Sequence, residues 1–80
     1  MEPLAQRAAA LPSAIPAHAI RISRAERRVL SLMLQGLNNG AIASTLSLSR
    51  RTVEGHVSAL LRKTGCHSRT QLVLWALGQG

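Results

Sequence analysis

Ser49-Arg50-Arg51-Thr52-Val53-Glu54-Gly55-His56-Val57-Ser58-Ala59-Leu60-Leu61-Arg62-Lys63-Thr64, read at helical period, has two unlike faces. Val53, Val57, Leu60, Leu61 and Thr64 recur at spacings of three and four, which sets them on one stripe. Arg51, Glu54, Gly55, Ser58 and Arg62 fall on the opposite side. That second face is polar, slim at its middle and basic at its ends: Arg50 and Arg51 before, Arg62 and Lys63 after. Such a face suits a groove of nucleic acid. Ser49 precedes it as a natural N-cap and Gly65 follows it as a natural stop.

Upstream, Ser23 and Glu26 stand at capping-box spacing. They predict a helix from Arg24 to about Gln35, with Val29, Leu30, Leu32 and Met33 inward and Arg24, Arg27 and Arg28 outward. Glu26 is expected to act as a cap alone. Gly36 ends this helix. Leu37-Asn38-Asn39-Gly40 is turn chemistry, because Asn and Gly tolerate left-handed backbone. A short helix follows over about Asn39 to Leu46. Ala41, Ile42, Ala43 and Leu46 are expected inside it, Ser44 and Thr45 outside. Ser47-Leu48-Ser49 is then a tight link into the basic helix. Two helices so joined, the second with a polar face, make a helix-turn-helix. Ser68 predicts the start of a last helix, about Arg69 to Leu77, with Gly78-Gln79-Gly80 as a frayed end. No strand pattern or internal repeat is present. The expected fold class is all-α: four helices behind an N-terminal arm.

That arm, residues 1–20, is rich in Ala and Pro. Pro12 and Pro16 push their preceding residues towards extended backbone. It reads as a flexible arm or linker, or as the remnant of a connection to an upstream domain. Residues 21–80 form the domain. A core of about 60 residues buries roughly 60% of its unfolded surface, which leaves little room for an enzyme pocket.

The chain has 80 residues, ten Lys+Arg and three acids, for a formal net charge of +7. A chain this basic seeks polyanions. All its cations but Lys63 are Arg, whose planar fork matches phosphates and guanine edges. Cys66 is the single cysteine, so no internal disulfide forms, which suits a reducing cytoplasm. No apolar run is long enough to span a membrane, and no secretory leader is visible. Cys66, His67 and His56 lack zinc-site spacing, and no nucleophile stands in pattern with a base and an orienting partner. Neither a metal, a cofactor nor an enzymatic activity is expected.

From Ile22 to Leu77 the chain resembles the LuxR-type, or GerE-type, helix-turn-helix domain of bacterial transcriptional regulators. The resemblance rests on Ser23-Arg24-Ala25-Glu26-Arg27-Arg28-Val29-Leu30, Gln35-Gly36-Leu37-Asn38-Asn39 and Ile42-Ala43. It continues through Leu46, Ser49, Thr52-Val53, His56-Val57, Arg62-Lys63, Gly65 and Ser68-Arg69-Thr70. It implies four helices, the third a recognition helix in the major groove of double-stranded DNA and the fourth a dimer contact. Carried over, Arg51 and Thr52 are phosphate contacts, Glu54, Gly55 and Ser58 face bases, and Lys63 touches the backbone. His56 matches a position that the family commonly fills with His. It either packs against a neighbour or contacts a phosphate. By charge, Arg50 and Arg62 join the phosphate set. The homodimer seam would use whichever of Val73, Trp75, Ala76 and Leu77 is exposed; the alternative is that Leu72, Val73 and Trp75 simply cover the three-helix core. Control would come from a partner protein or an upstream regulatory domain outside the chain.

The chain departs from the family pattern at several positions. Gly40 stands where a basic residue is usual and Ser47 where Gly is usual. Glu54 replaces a frequent Lys, Ala59 an Asn and Thr64 a Leu. Two residues stay open. Glu54 either accepts from cytosine N4 or pairs with Arg50 or Arg51. Gly55 is either tolerated in the helix or lets the backbone approach base edges. A sigma-factor region and a protein-interaction module are the alternative readings.

Overall fold

A computed structural model describes residues 20–79; of Gln79 only the backbone is described. The arm assigned to residues 1–20 therefore lies outside the described residues, except for Ile20. Four helices follow in order: α1 Arg24–Leu34, α2 Asn39–Leu46, α3 Arg50–Thr64 and α4 Arg69–Gln79. No strand occurs among the described residues.

Local chemistry sets most of the boundaries. The Ser23 hydroxyl accepts from the Glu26 N–H at 3.1 Å, and Glu26 Oε1 accepts from the Ser23 N–H at 3.0 Å. This reciprocal capping box opens α1. At its other end the Leu37 N–H donates to the Leu32 carbonyl and the Gly36 N–H to that of Met33. This is a Schellman motif, and Gly36 supplies the positive φ of 91° that it needs. Asn38 Oδ1 caps α2 by accepting from the Ala41 N–H at 2.9 Å. The Ser49 hydroxyl caps α3 by accepting from the Thr52 N–H at 3.0 Å. Gly65 closes α3 at φ 75°, its N–H donating to the Leu61 carbonyl. The Ser68 hydroxyl accepts from the Gln71 N–H at the start of α4. That helix continues two residues beyond the expected Leu77, so Gly78 is helical and does not fray the end.

The turn between α2 and α3 carries the chain's one strained position among the described residues. Ser47 sits in the left-handed region at φ 57°, ψ 42°. A side chain there costs about 1 kcal/mol relative to Gly, which accounts physically for Gly in the family pattern.

Helix α3 is the centre of the packing and touches each of the other three. Val53, Val57 and Leu60 of its apolar stripe are buried. They meet Val29, Leu30 and Met33 of α1, Ile42 and Ala43 of α2, and Leu72 and Trp75 of α4 in one cluster. Each large apolar side chain so buried contributes roughly 1.5–3 kcal/mol. Leu61, expected on the same stripe, is only half-buried, as is Leu32. Thr64 is fully buried, and its hydroxyl is satisfied: it donates to the Leu60 carbonyl at 2.8 Å and accepts from the Cys66 N–H at 3.3 Å. A polar residue thus occupies an apolar slot without an orphaned group.

One inward expectation and one seam candidate are corrected. Ala41 is exposed, because α2 turns only Ile42 and Ala43 fully into the core and leaves Leu46 at its edge. Trp75, a candidate for the dimer seam or for the core, is 4% exposed and belongs to the core. The large apolar groups that α4 leaves in solvent are Leu74 and Leu77, at 58% and 62%.

Candidate nucleic-acid interface

Helix α3 rests its apolar stripe on three other helices, so its opposite face must point outward. Arg50, Arg51, Thr52, Glu54, Gly55, Ser58 and Arg62 are all exposed there. His56 is half-buried at the edge of the stripe. The sequence therefore places these residues on one continuous surface, as its periodicity requires.

The details differ residue by residue. The Ser49 hydroxyl donates to Thr52 Oγ1 at 2.9 Å while capping the Thr52 N–H. The Thr52 hydroxyl proton is left for an outside acceptor such as a phosphate oxygen. Glu54 forms no ion pair with Arg50 or Arg51; the ion pair recorded among the described residues is Lys63–Glu26. Of the two roles left open for Glu54, the pairing with Arg50 or Arg51 is thus not made, and its side chain is exposed. At Gly55 a Cβ would meet no atom within 4 Å. The protein's own packing does not require glycine there.

Lys63 is spent inside the domain. Its Nζ donates to Glu26 Oε1 at 2.7 Å, across 37 residues of sequence, with the Lys side chain 30% exposed and the Glu side chain 9%. Glu26 is therefore more than a cap: it joins the start of α1 to the end of α3. Burial pushes the Glu26 carboxyl upward. The hydrogen bond and charge of Lys63, with the Ser23 N–H and hydroxyl, outweigh this and hold it below its ordinary value.

A second long-range clamp lies at the other end of α3. Arg69 donates from Nη1 to Asn39 Oδ1 at 2.7 Å and from Nη2 to the Leu37 carbonyl at 2.9 Å. It ties the start of α4 to the turn before α2. Arg69 and Asn39, with Asn38, Gly40, Arg50 and Glu54, line an open cleft of about 460 Å³. The sequence marks Arg69 only as the start of the last helix and as part of a matching tripeptide. Its partners are 30 and 32 residues away, so no local pattern signals them.

No cluster of three or more His, Cys, Asp or Glu able to hold a metal occurs among the described residues. No helix among them is long and apolar enough to cross a membrane.

The bacterial regulatory proteins of the luxR family match residues 21–76. Curated relatives match over the same region. The response regulator Rre1 of Synechocystis is 53% identical over 55 residues, 69% of this chain and 24% of that protein. The transcriptional regulatory protein DegU of Brevibacillus brevis is 39% identical over 59 residues, 74% of this chain and 25% of its own length. The DNA-binding transcriptional activator DevR/DosR of Mycobacterium tuberculosis is 43% identical over 51 residues, 64% of this chain and 24% of its own length. The matched region thus spans about a quarter of these relatives.

Proposed function

Because the chain belongs to the luxR family of bacterial regulatory proteins, we propose that its helix-turn-helix domain, residues 21–80, binds double-stranded DNA sequence-specifically in the cytoplasm, with α3 in the major groove. The observation that carries this reading is the outward face of α3, where seven polar, small or basic residues from Arg50 to Arg62 are exposed together. A helix of this width fits the B-DNA major groove.

In this reading the ends of the face grip and its centre reads. Arg50, Arg51, Thr52, His56 and Arg62 meet backbone phosphates, each releasing counterions and making affinity salt-dependent. Glu54, Gly55 and Ser58 face base edges. The Glu54 carboxylate, which forms no ion pair with a described residue, accepts from cytosine N4. Lys63 serves the fold first, since its ammonium is held by a nearly buried carboxylate. Two copies pair through α4 using Val73, Leu74, Ala76 and Leu77; Trp75 is inside and drops out. Nothing in this function calls for catalysis or a cofactor. Rre1, named a response regulator, is about four times as long as its matched region. Control of DNA binding here would lie in a regulatory domain or partner protein beyond residues 21–80.

The test is selection of binding sites from a random duplex pool at two salt concentrations, with the wild-type chain and Glu54→Lys. The wild type is expected to enrich a defined consensus and to lose affinity steeply with salt. Glu54→Lys is expected to bind more tightly overall and to change preference at one or two base pairs. An identical consensus from both proteins removes Glu54 from base reading. Absence of salt-dependent binding by the wild type removes the DNA reading altogether.

A further inference from the structure

Gly40, in the first turn of α2, has a neighbour that its sequence position does not suggest. A Cβ built on it would lie 2.6 Å from Nη2 of Arg50 and 3.5 Å from Cζ of the same guanidinium. Real Cβ contacts are essentially never that short. The Arg50 side chain reaches back from the first residue of α3 and lays its guanidinium on the backbone of α2, in space that only a missing side chain leaves open. In the same cleft Arg69 already has two acceptors, Asn39 Oδ1 and the Leu37 carbonyl. Arg50 has none among the described residues. It is the cation of this cleft that lies over Gly40 and still has its hydrogen-bond donors to give.

We infer that Gly40 is a positioning residue for DNA binding: by omitting a side chain it holds the Arg50 guanidinium in the cleft between α2 and α3, where a backbone phosphate is taken. The inference rests on the DNA-binding reading above and deepens it. Gly40 removes a potential cation from α2, yet it admits one from α3. The clash that any larger residue creates is with the far end of a flexible side chain, so the fold accommodates it by moving the guanidinium. Position 40 therefore controls where the charge sits with little effect on stability.

Gly40→Ala separates the two roles. Alanine is better than glycine inside a helix, so a merely structural glycine predicts a variant that binds DNA like the wild type. A positioning glycine predicts a variant with an equal or higher melting temperature and weaker DNA binding, by about three- to tenfold for the loss of one charge-assisted contact. Anisotropy titrations on the selected duplex at several salt concentrations, with Gly40→Ala, Arg50→Ala and the double variant, read this directly. Arg50→Ala is expected to weaken binding to all sequences alike and to reduce the salt slope by about 1. In the Arg50→Ala background, Gly40→Ala is expected to add no further loss. Unchanged affinity in Gly40→Ala overturns the proposal, and so does an equal loss in both backgrounds. If the wild type itself shows no salt-dependent binding, the DNA reading falls and this proposal with it, a result distinguishable before any variant is compared.

Discussion

At the scale of single residues, the two glycines of the polar surface have opposite surroundings. Gly40 is blocked by Arg50, whereas Gly55 faces open space. Glycine inside a helix costs roughly 0.5–1 kcal/mol relative to alanine. At Gly55 no packing among the described residues calls for glycine, and the DNA-binding reading offers a reason outside the molecule. Close approach of the α3 backbone to base edges is such a reason. Gly55→Ala is therefore expected to raise stability by about 0.5–1 kcal/mol and to weaken specific DNA binding more than non-specific binding. Chemical denaturation paired with titration of the selected and a scrambled duplex checks both signs. A variant that gains stability and keeps its specific affinity makes Gly55 a tolerated residue only. The sequence showed that Gly55 lay on the outward face, because periodicity assigns faces. It left its purpose open, because period says nothing about what a missing side chain would have touched.

At the scale of elements, helix ends were legible and helix pairings were not. Ser23, Asn38, Ser49, Gly36 and Gly65 act on amides and carbonyls a few residues away, so their patterns can be read along the chain. The Glu26–Lys63 pair spans 37 residues, and nothing at either site announces the other. Its consequence is a pH dependence of known sign. The Glu26 carboxyl is held below its ordinary value in the folded chain. A group so depressed contributes stability that is fully present above the unfolded value, about 4.3 for Glu, and is lost as pH falls through the lower folded value. Stability is expected to drop on acidification from about pH 5 downward. Glu26→Gln retains an acceptor for the capping box but not the charge, so it isolates the ion pair. It is expected to cost about 1 kcal/mol near neutrality and to flatten the acid limb of the stability profile. Urea denaturation at a series of pH values measures both, and an acid limb as steep in Glu26→Gln as in the wild type places the effect elsewhere. The same pair argues that Lys63→Ala acts chiefly on stability, whereas Arg62→Ala acts on the salt slope.

At the scale of the whole molecule, the question is what covers α4. The sequence offered Val73, Trp75, Ala76 and Leu77 for both core and seam, and periodicity could not divide them, because a helix rich in apolar residues on all sides has no obvious inner face. The packing divides them: Leu72 and Trp75 go in, while Leu74 and Leu77 stay out at 58% and 62% exposure, one helical turn apart. Isolated exposed leucines are ordinary. Two at a spacing of three, with half-buried Val73 and Ala76 beside them, form a stripe able to meet its own copy across a two-fold axis. A dimer so formed presents two α3 helices to half-sites about one turn of DNA apart, roughly 34–36 Å. In the proposed dimer, two half-sites read together would multiply the discrimination of each. Leu74→Glu with Leu77→Glu is expected to leave the helical circular dichroism unchanged, because neither side chain is in the core. It is expected to abolish cooperative binding to a duplex carrying two half-sites and to leave binding to one half-site within about twofold. Trp75 emission is expected to stay constant with protein concentration, since the indole is buried in each copy whether or not it is paired. Sedimentation on and off the two-site duplex decides the matter: a wild-type chain that occupies both half-sites independently, with the same affinity as the double variant, leaves α4 without a partner of its own kind.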